Sequence, residues 1–100
     1  MNKFCLSNIE DIDFLKEAFK ILSEPNRIKI LCLLSKSEKL CVCEIVKALW
    51  LKQNLVSHHL SIFKRIWLFD QKKEGTNIYY SINKEVYDKL KSLVWNIFNN

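Results

Sequence analysis

The sequence predicts a mainly α-helical fold with a small β-hairpin, in the order ααααββα. Three observations carry this. Apolar residues recur at helical spacing in the segments before residue 66 and again after 83. Between residues 67 and 82 the period drops to two. One glycine and one proline in 100 residues leave few tight turns, so helices are the economical way to fold a chain that is 49% hydrophobic with 12% aromatics. That length and composition suit one domain, 1–100, with a single modest core.

The first helix is expected over 9–22. Ile12, Leu15, Phe19 and Leu22 line one face, and Phe14, Ala18 and Ile21 fall on another. A surface helix of a monomer needs one apolar stripe, so two suggest a core face and a face for a partner chain. Ser23-Glu24-Pro25 ends that helix and starts the next, since proline is tolerated in a first turn. Ile28, Leu31 and Leu34 are its expected core stripe, to about Ser35, with Cys32 read as a small core residue. Lys36-Ser37-Glu38-Lys39 reads as a solvated loop.

A short third helix is expected over 42–49, with Ile45, Val46 and Leu49 inward. After Trp50-Leu51-Lys52 a fourth runs from about Gln53 to Arg65, burying Leu55 or Val56, His59, Leu60 and Phe63. Two helices joined by so short a turn form a helix-turn-helix candidate, 41–66. Strands follow at about Leu68–Lys73 and through Ile78, Tyr80 and Ile82, with Glu74-Gly75 at the turn, giving a basic-tipped hairpin at 67–82. The last helix, 84–98, has Val86, Leu90, Leu93 and Ile97 on one side and Tyr87, Val94 and Phe98 on another. Surplus apolar faces on 9–22 and 84–98 point to a symmetric homodimer built from the two terminal helices, the alternative being helices wrapped on both faces by their own monomer.

A helix-turn-helix followed at once by a hairpin is the winged helix-turn-helix arrangement, and the charge agrees with a polyanionic partner. Lys52, Lys64, Arg65, Lys72 and Lys73 face a single acid, Asp70, between 52 and 73, within a net charge of +5. Gln53, Asn54, Ser57 and His58 occupy the first turns of the fourth helix, where short polar side chains reach base edges of double-stranded DNA. Gln53 can equally serve as a plain helix-start residue. His58 and His59 are adjacent and point about 100° apart, so His59 is read as a packed, hydrogen-bonded core residue and His58 as the outward one.

The chain resembles the ArsR–SmtB metal- and metalloid-responsive repressors over about 12–98. The likeness rests on Leu22-Ser23-Glu24-Pro25-Asn26-Arg27-Ile28-Lys29-Ile30-Leu31, Leu40-Cys41-Val42-Cys43-Glu44-Ile45, Gln53-Asn54-Leu55-Val56-Ser57-His58-His59-Leu60 and the wing from Lys73 to Ile82. It implies a homodimer on a pseudo-palindromic operator, released when an inducer binds. Lys52, Lys64, Arg65, Lys72, Lys73 and Thr76 would then hold phosphates while the recognition helix reads bases.

Cys41-Val42-Cys43 resembles that family's soft-metal or arsenite site. An extended or first-turn backbone can turn both sulfurs toward one ion, and thiolates suit As(III), Cd, Pb, Zn or Cu(I). The third thiol expected three residues after Cys43 falls on Val46. Cys5, in the arm at 1–7, is the remaining candidate for a third sulfur. Such an ion acts as inducer and is not required for folding. Two other readings stay open: a thiol-based redox or persulfide-responsive repressor, and cysteines with no inducer role. The family's other site, on the last helix, is not expected, because 84–98 offers only Glu85 and Asp88.

Trp50 and Trp67 occupy turn positions where glycine is common in this family, which strains the backbone if φ > 0 is required there. An enzyme is not expected: the sequence lacks a phosphate-binding glycine loop, a Ser–His–acid set and a zinc-ligand quartet. A winged helix used only for protein contacts remains the third class. No apolar run approaches the ~18 residues of a membrane span, and Met1–Cys5 has no secretory pattern. The expectation is therefore a cytoplasmic protein with reduced thiols.

Overall fold

The computed structural model describes residues 8–99. Five helices, α1 (Ile9–Leu22), α2 (Pro25–Ser35), α3 (Val42–Leu49), α4 (Gln53–Phe63) and α5 (Lys84–Phe98), surround one core. A small sheet is built from β1 (Leu40–Cys41), β2 (Phe69–Glu74) and β3 (Asn77–Ile82). It is antiparallel in the order β1-β3-β2. The fold is the expected winged helix-turn-helix, with two refinements. Leu40 and Cys41 pair with Tyr80 and Tyr79, adding a third strand that anchors the wing to the start of α3. The fourth helix tightens into a 3-10 turn at Lys64–Ile66 instead of continuing as α-helix to Arg65.

Local sequence explains the helix starts. The Asn8 side chain accepts from the Glu10 amide at 2.8 Å, and Glu24 accepts from the Asn26 amide at 3.2 Å with Pro25 in the first turn. The Asn83 side chain accepts from the Val86 amide at 3.3 Å. At α3 the bond is reversed, because the Glu44 carboxylate reaches back to accept from the Cys41 amide at 2.9 Å.

The core is centred on Phe63, Ile21, Ile30, Leu34, Ile45, Leu60, Leu68 and Val56, all fully buried. Phe63 stacks on Phe69 with ring centroids 4.3 Å apart, locking the end of α4 to the first strand of the wing. Val56, fully buried, and not Leu55, which is 38% exposed, is the inward residue of α4. On α1 the buried stripe is Leu15, Ala18 and Ile21, and Ile12 and Phe19 are exposed. On α2 the expected stripe is corrected: Ile30 and Leu34 are buried, whereas Ile28 faces out. Cys32 is also corrected, from core to exposed free cysteine. The cause is that Ile28, Ile30, Leu31, Leu33 and Leu34 encircle this helix, so spacing alone does not select a face.

Trp50 and Trp67 both take the left-handed conformation, at φ 58° and 57°. The Trp67 amide closes the 3-10 turn by donating to the Lys64 carbonyl at 3.2 Å, while its indole is 70% exposed. Backbone strain there is not offset by side-chain burial. Trp67→Gly should therefore raise unfolding free energy by about 1 kcal/mol in urea titration. A decrease would show that the indole packs more firmly than its exposure indicates.

Candidate DNA interface and thiol site

α4 divides cleanly into two faces. Val56, His59, Leu60 and Phe63 are buried, and Gln53, Asn54, Ser57 and His58 are exposed in its first turns. The outward set is the one expected to read bases, and the structure leaves it free to do so.

His59, only 4% exposed, fixes the back of this helix. Arg27 donates from Nε to His59 Nδ1 at 3.1 Å and from Nη1 to the Ile21 carbonyl at 3.4 Å. Since Nδ1 accepts, the neutral imidazole carries its proton on Nε2. That nitrogen lies 3.2 Å from Glu24 Oε2. The pair is buried and misaligned for a directed hydrogen bond, and neither atom has another partner among the described residues. Glu24 thus caps α2 with one oxygen and faces α4 with the other. Sequence reasoning placed His59 inward but missed its partners, which lie some thirty residues away.

Burial holds the His59 pKa below its ordinary 6.5, with Arg27 and His58 acting in the same direction and Glu24 opposing. A histidine with a lowered folded-state pKa contributes stability above its unfolded pKa. That stability is lost as pH falls below about 6.5, where the unfolded chain takes up the proton first. Unfolding free energy should decline from pH 7 toward pH 5, and the slope above pH 6 should flatten in His59→Gln. An unchanged slope between 6 and 7 in that variant would assign it to other groups.

Cys41 is buried and ends β1 with an extended backbone, φ −81° and ψ 164°, and helical geometry begins at Val42. This junction brings residues two apart onto the same side. The sulfurs of Cys41 and Cys43 are in bonding contact as a disulfide, with Cα atoms 5.4 Å apart, where the sequence led to an expectation of free thiols. Cys43 is exposed.

The pair does not stand alone. A cleft of about 360 Å³ between α3, α4 and the wing is lined by Cys41 and Cys43 together with Gln53, Ser57, Thr76, Asn77 and Tyr80. Two of the residues expected to read bases, the wing residues Thr76, Asn77 and Tyr80, and both cysteines therefore share one opening. Asn77 and Tyr80 were not singled out as site residues from sequence; their place beside the cysteines follows from the pairing of β1 with β3, Leu40 opposite Tyr80 and Cys41 opposite Tyr79. In the reduced form the cleft presents two converging soft donors. Among the described residues no group of three or more His, Cys, Asp or Glu is placed to hold a metal ion. Cys5, the expected third sulfur, lies outside the described residues.

The basic residues expected to hold phosphates lie at the two ends of α4 and on the wing. Lys52 precedes the first turn of α4, and Lys72 and Lys73 are exposed on β2. Lys64 and Arg65 sit at the opposite end of α4 from Gln53, and Arg65 approaches Glu17 of α1 at 3.7 Å. Lys39, not singled out from sequence, holds Glu74 at 2.7 Å and lies 5.0 Å from the centre of the Tyr79 ring, bracing the wing against the loop before β1.

Comparison with known proteins agrees with this architecture. Residues 24–65 match the family described as "Bacterial regulatory protein, arsR family". An uncharacterized HTH-type transcriptional regulator of Methanocaldococcus jannaschii is 37% identical over 83% of this chain and 94% of its own length. The chain belongs to the ArsR family. It is accordingly a helix-turn-helix, DNA-binding transcriptional regulator and not an enzyme. The cadmium resistance transcriptional regulatory protein CadC of Listeria innocua is 41% identical over 64% of the chain, a match that spans about half (54%) of that relative. Among solved structures, reduced HlyU from Vibrio cholerae superposes with a TM-score of 0.71 at 25% identity, covering 91% of this chain and 95% of that one. No helix among the described residues is long and apolar enough to cross a membrane.

Proposed function

We propose that this ArsR-family protein is a homodimeric operator-binding repressor, released when a soft metal or metalloid ion engages Cys41 and Cys43. The single observation that supports this most is the shared cleft, in which the cysteine pair lies alongside Gln53 and Ser57 of the recognition helix and Thr76 of the wing. Gln53, Asn54, Ser57 and His58 read base edges, and Lys52, Lys64, Arg65, Lys72, Lys73 and Thr76 hold phosphates. The reduced pair supplies two thiolates, which favour As(III), Cd, Pb or Zn as inducer. With Val46 where a third thiol is expected, further donors come from Cys5 or from outside the protein.

Dimerisation is supported by the apolar surface that the terminal helices leave uncovered. Ile9, Ile12 and Phe19 on α1 and Trp95 and Phe98 on α5 are all exposed large hydrophobics. Trp95 adds to the faces expected from sequence. A two-fold through such helices sets the spacing of two recognition helices, which must enter major grooves about 34 Å apart.

The test is anisotropy of a labelled duplex, selected from a random pool, with reduced protein and added cadmium or arsenite. The ion should weaken binding 5- to 150-fold, the range of about 1–3 kcal/mol of coupling. Cys41→Ser and Cys43→Ser should bind duplex normally and lose the response. Ion-induced release that persists in both serine variants would refute the thiol assignment. Affinity should also fall steeply with salt, and a flat salt dependence would favour a protein-contact module instead.

The sulfur–sulfur contact favours a second reading, a thiol-based redox repressor. Two thiols lose two electrons and two protons to a disulfide or peroxide oxidant and form the Cys41–Cys43 bond. Release by oxidised glutathione without metal, reversed by a dithiol, would select that reading. The dimer has a separate test: Phe19→Asp with Phe98→Asp should sediment as monomer and bind duplex at least tenfold more weakly. A variant that remains dimeric would remove α1 and α5 as the interface.

A further inference from the structure

Trp50 is the most exposed large hydrophobic among the described residues, at 92%, and it holds a left-handed backbone at φ 58° and ψ 38°. Its amide ends α3 by donating to the Val46 carbonyl at 2.9 Å. A bulky side chain that strains the backbone and buries nothing in its own fold is a mark of a contact made elsewhere. The surroundings indicate what that contact is. Trp50 lines an open groove of about 480 Å³ with Val46, Lys47, Leu51 and Lys52. The two lysines are the groove's only charged residues, and neither is in an ion pair among the described residues.

We propose that Trp50, with Lys47 and Lys52, seats the sugar–phosphate backbone of duplex DNA at the edge of the major groove entered by α4. This rests on the DNA-reading role proposed for α4. Trp50 stands three residues before Gln53, at most about 10 Å along the chain. The major groove is about 12 Å wide. When Gln53 is at a base edge, a residue that far back falls at the level of the flanking phosphates. The indole offers one N–H donor to a phosphate oxygen and a flat apolar face to the deoxyribose, and the lysines supply the counter-charge. A second copy of the chain is a poorer occupant, because the apolar surface suited to self-association lies on α1 and α5 and the groove carries uncompensated positive charge.

Trp67 provides an internal control. It has the same backbone conformation and high exposure, but it follows the far end of the recognition helix and lies outside the groove lined by Lys47 and Lys52. Duplex binding is measured by anisotropy of the labelled DNA with reduced protein. Trp50→Gly, which suits the left-handed turn and should fold, is expected to weaken selected and unrelated duplexes alike by five- to tenfold, because backbone contacts carry no sequence information. Trp50→Phe should recover part of the loss, and Trp67→Gly should bind as the parent does. Lys47→Ala and Lys52→Ala should each lower the log–log salt slope by about one.

An independent arm follows Trp50 emission in a Trp67→Phe, Trp95→Phe background, where saturating duplex should quench or shift it. Parental affinity in Trp50→Gly, or Trp50 emission unmoved while the labelled duplex is visibly bound, overturns this proposal and leaves the function of α4 standing. No duplex binding by the parent protein overturns both. Emission that responds to an acidic protein or polyglutamate but not to duplex would also overturn it, in favour of a protein partner.

Discussion

The recognition helix has to satisfy two opposed demands, and the rest of the molecule is arranged around how it meets them. Its first turns expose amides and hydroxyls to solvent, so almost all of its stabilisation has to come from the other side. Val56, Leu60 and Phe63 provide the apolar part by complete burial. Burial alone sets depth but leaves rotation about the helix axis weakly defined. The Arg27–His59 bond adds a directional contact at one point on that face, beside which Glu24 lies close. Glu24 is the N-cap of α2 and Arg27 lies in its first turn, and that helix is packed through Ile30 and Leu34. Rotation of α4 is thereby referred to the core and not to its solvent-facing residues.

The same logic explains the short third strand. A cysteine pair two residues apart cannot face one point from within a regular helix, where successive residues turn by about 100°. Pairing Leu40 and Cys41 with β3 keeps Cys41 extended, and Glu44 secures the Cys41 amide from the first turn of α3. The chain changes from strand to helix between the two sulfurs. Because β3 also belongs to the wing, the thiol pair is fastened to both α3 on one side and the hairpin on the other. Any chemistry that alters this junction acts where the two parts join.

Much of this was legible in the sequence because it is local. The period-two run Asn77–Ile82, the lone Gly75, Pro25 after Glu24 and the polar start of α4 each specify an element from neighbouring residues. The left-handed turns at Trp50 and Trp67 were likewise foreseeable as positions of strain. What escaped is non-local. The partners of His59 and the pairing of β1 with β3 bring together residues far apart in sequence, and no periodicity encodes them. The wrong inward residues on α2 have a different cause. Its apolar residues encircle the helix, so the side facing out is decided by neighbouring elements, and Ile28 and Cys32 end up on it.

A thiol pair placed in the readers' own cleft changes what coupling has to accomplish under the proposed reading. If an inducer site were remote, release would need a displacement carried through packed helices. Here Cys43 is exposed and shares an opening with Gln53, Ser57 and Thr76, so occupancy of that opening by a duplex and modification of the sulfurs compete for one space. Linkage makes the effect mutual: whatever loosens the duplex on reacting with the sulfurs is itself held off by the duplex to the same factor. Such an arrangement needs little rigidity in the terminal helices to transmit a signal. Their geometry then serves mainly to hold two reading heads at a fixed spacing, which is a demand that a broad apolar interface can meet.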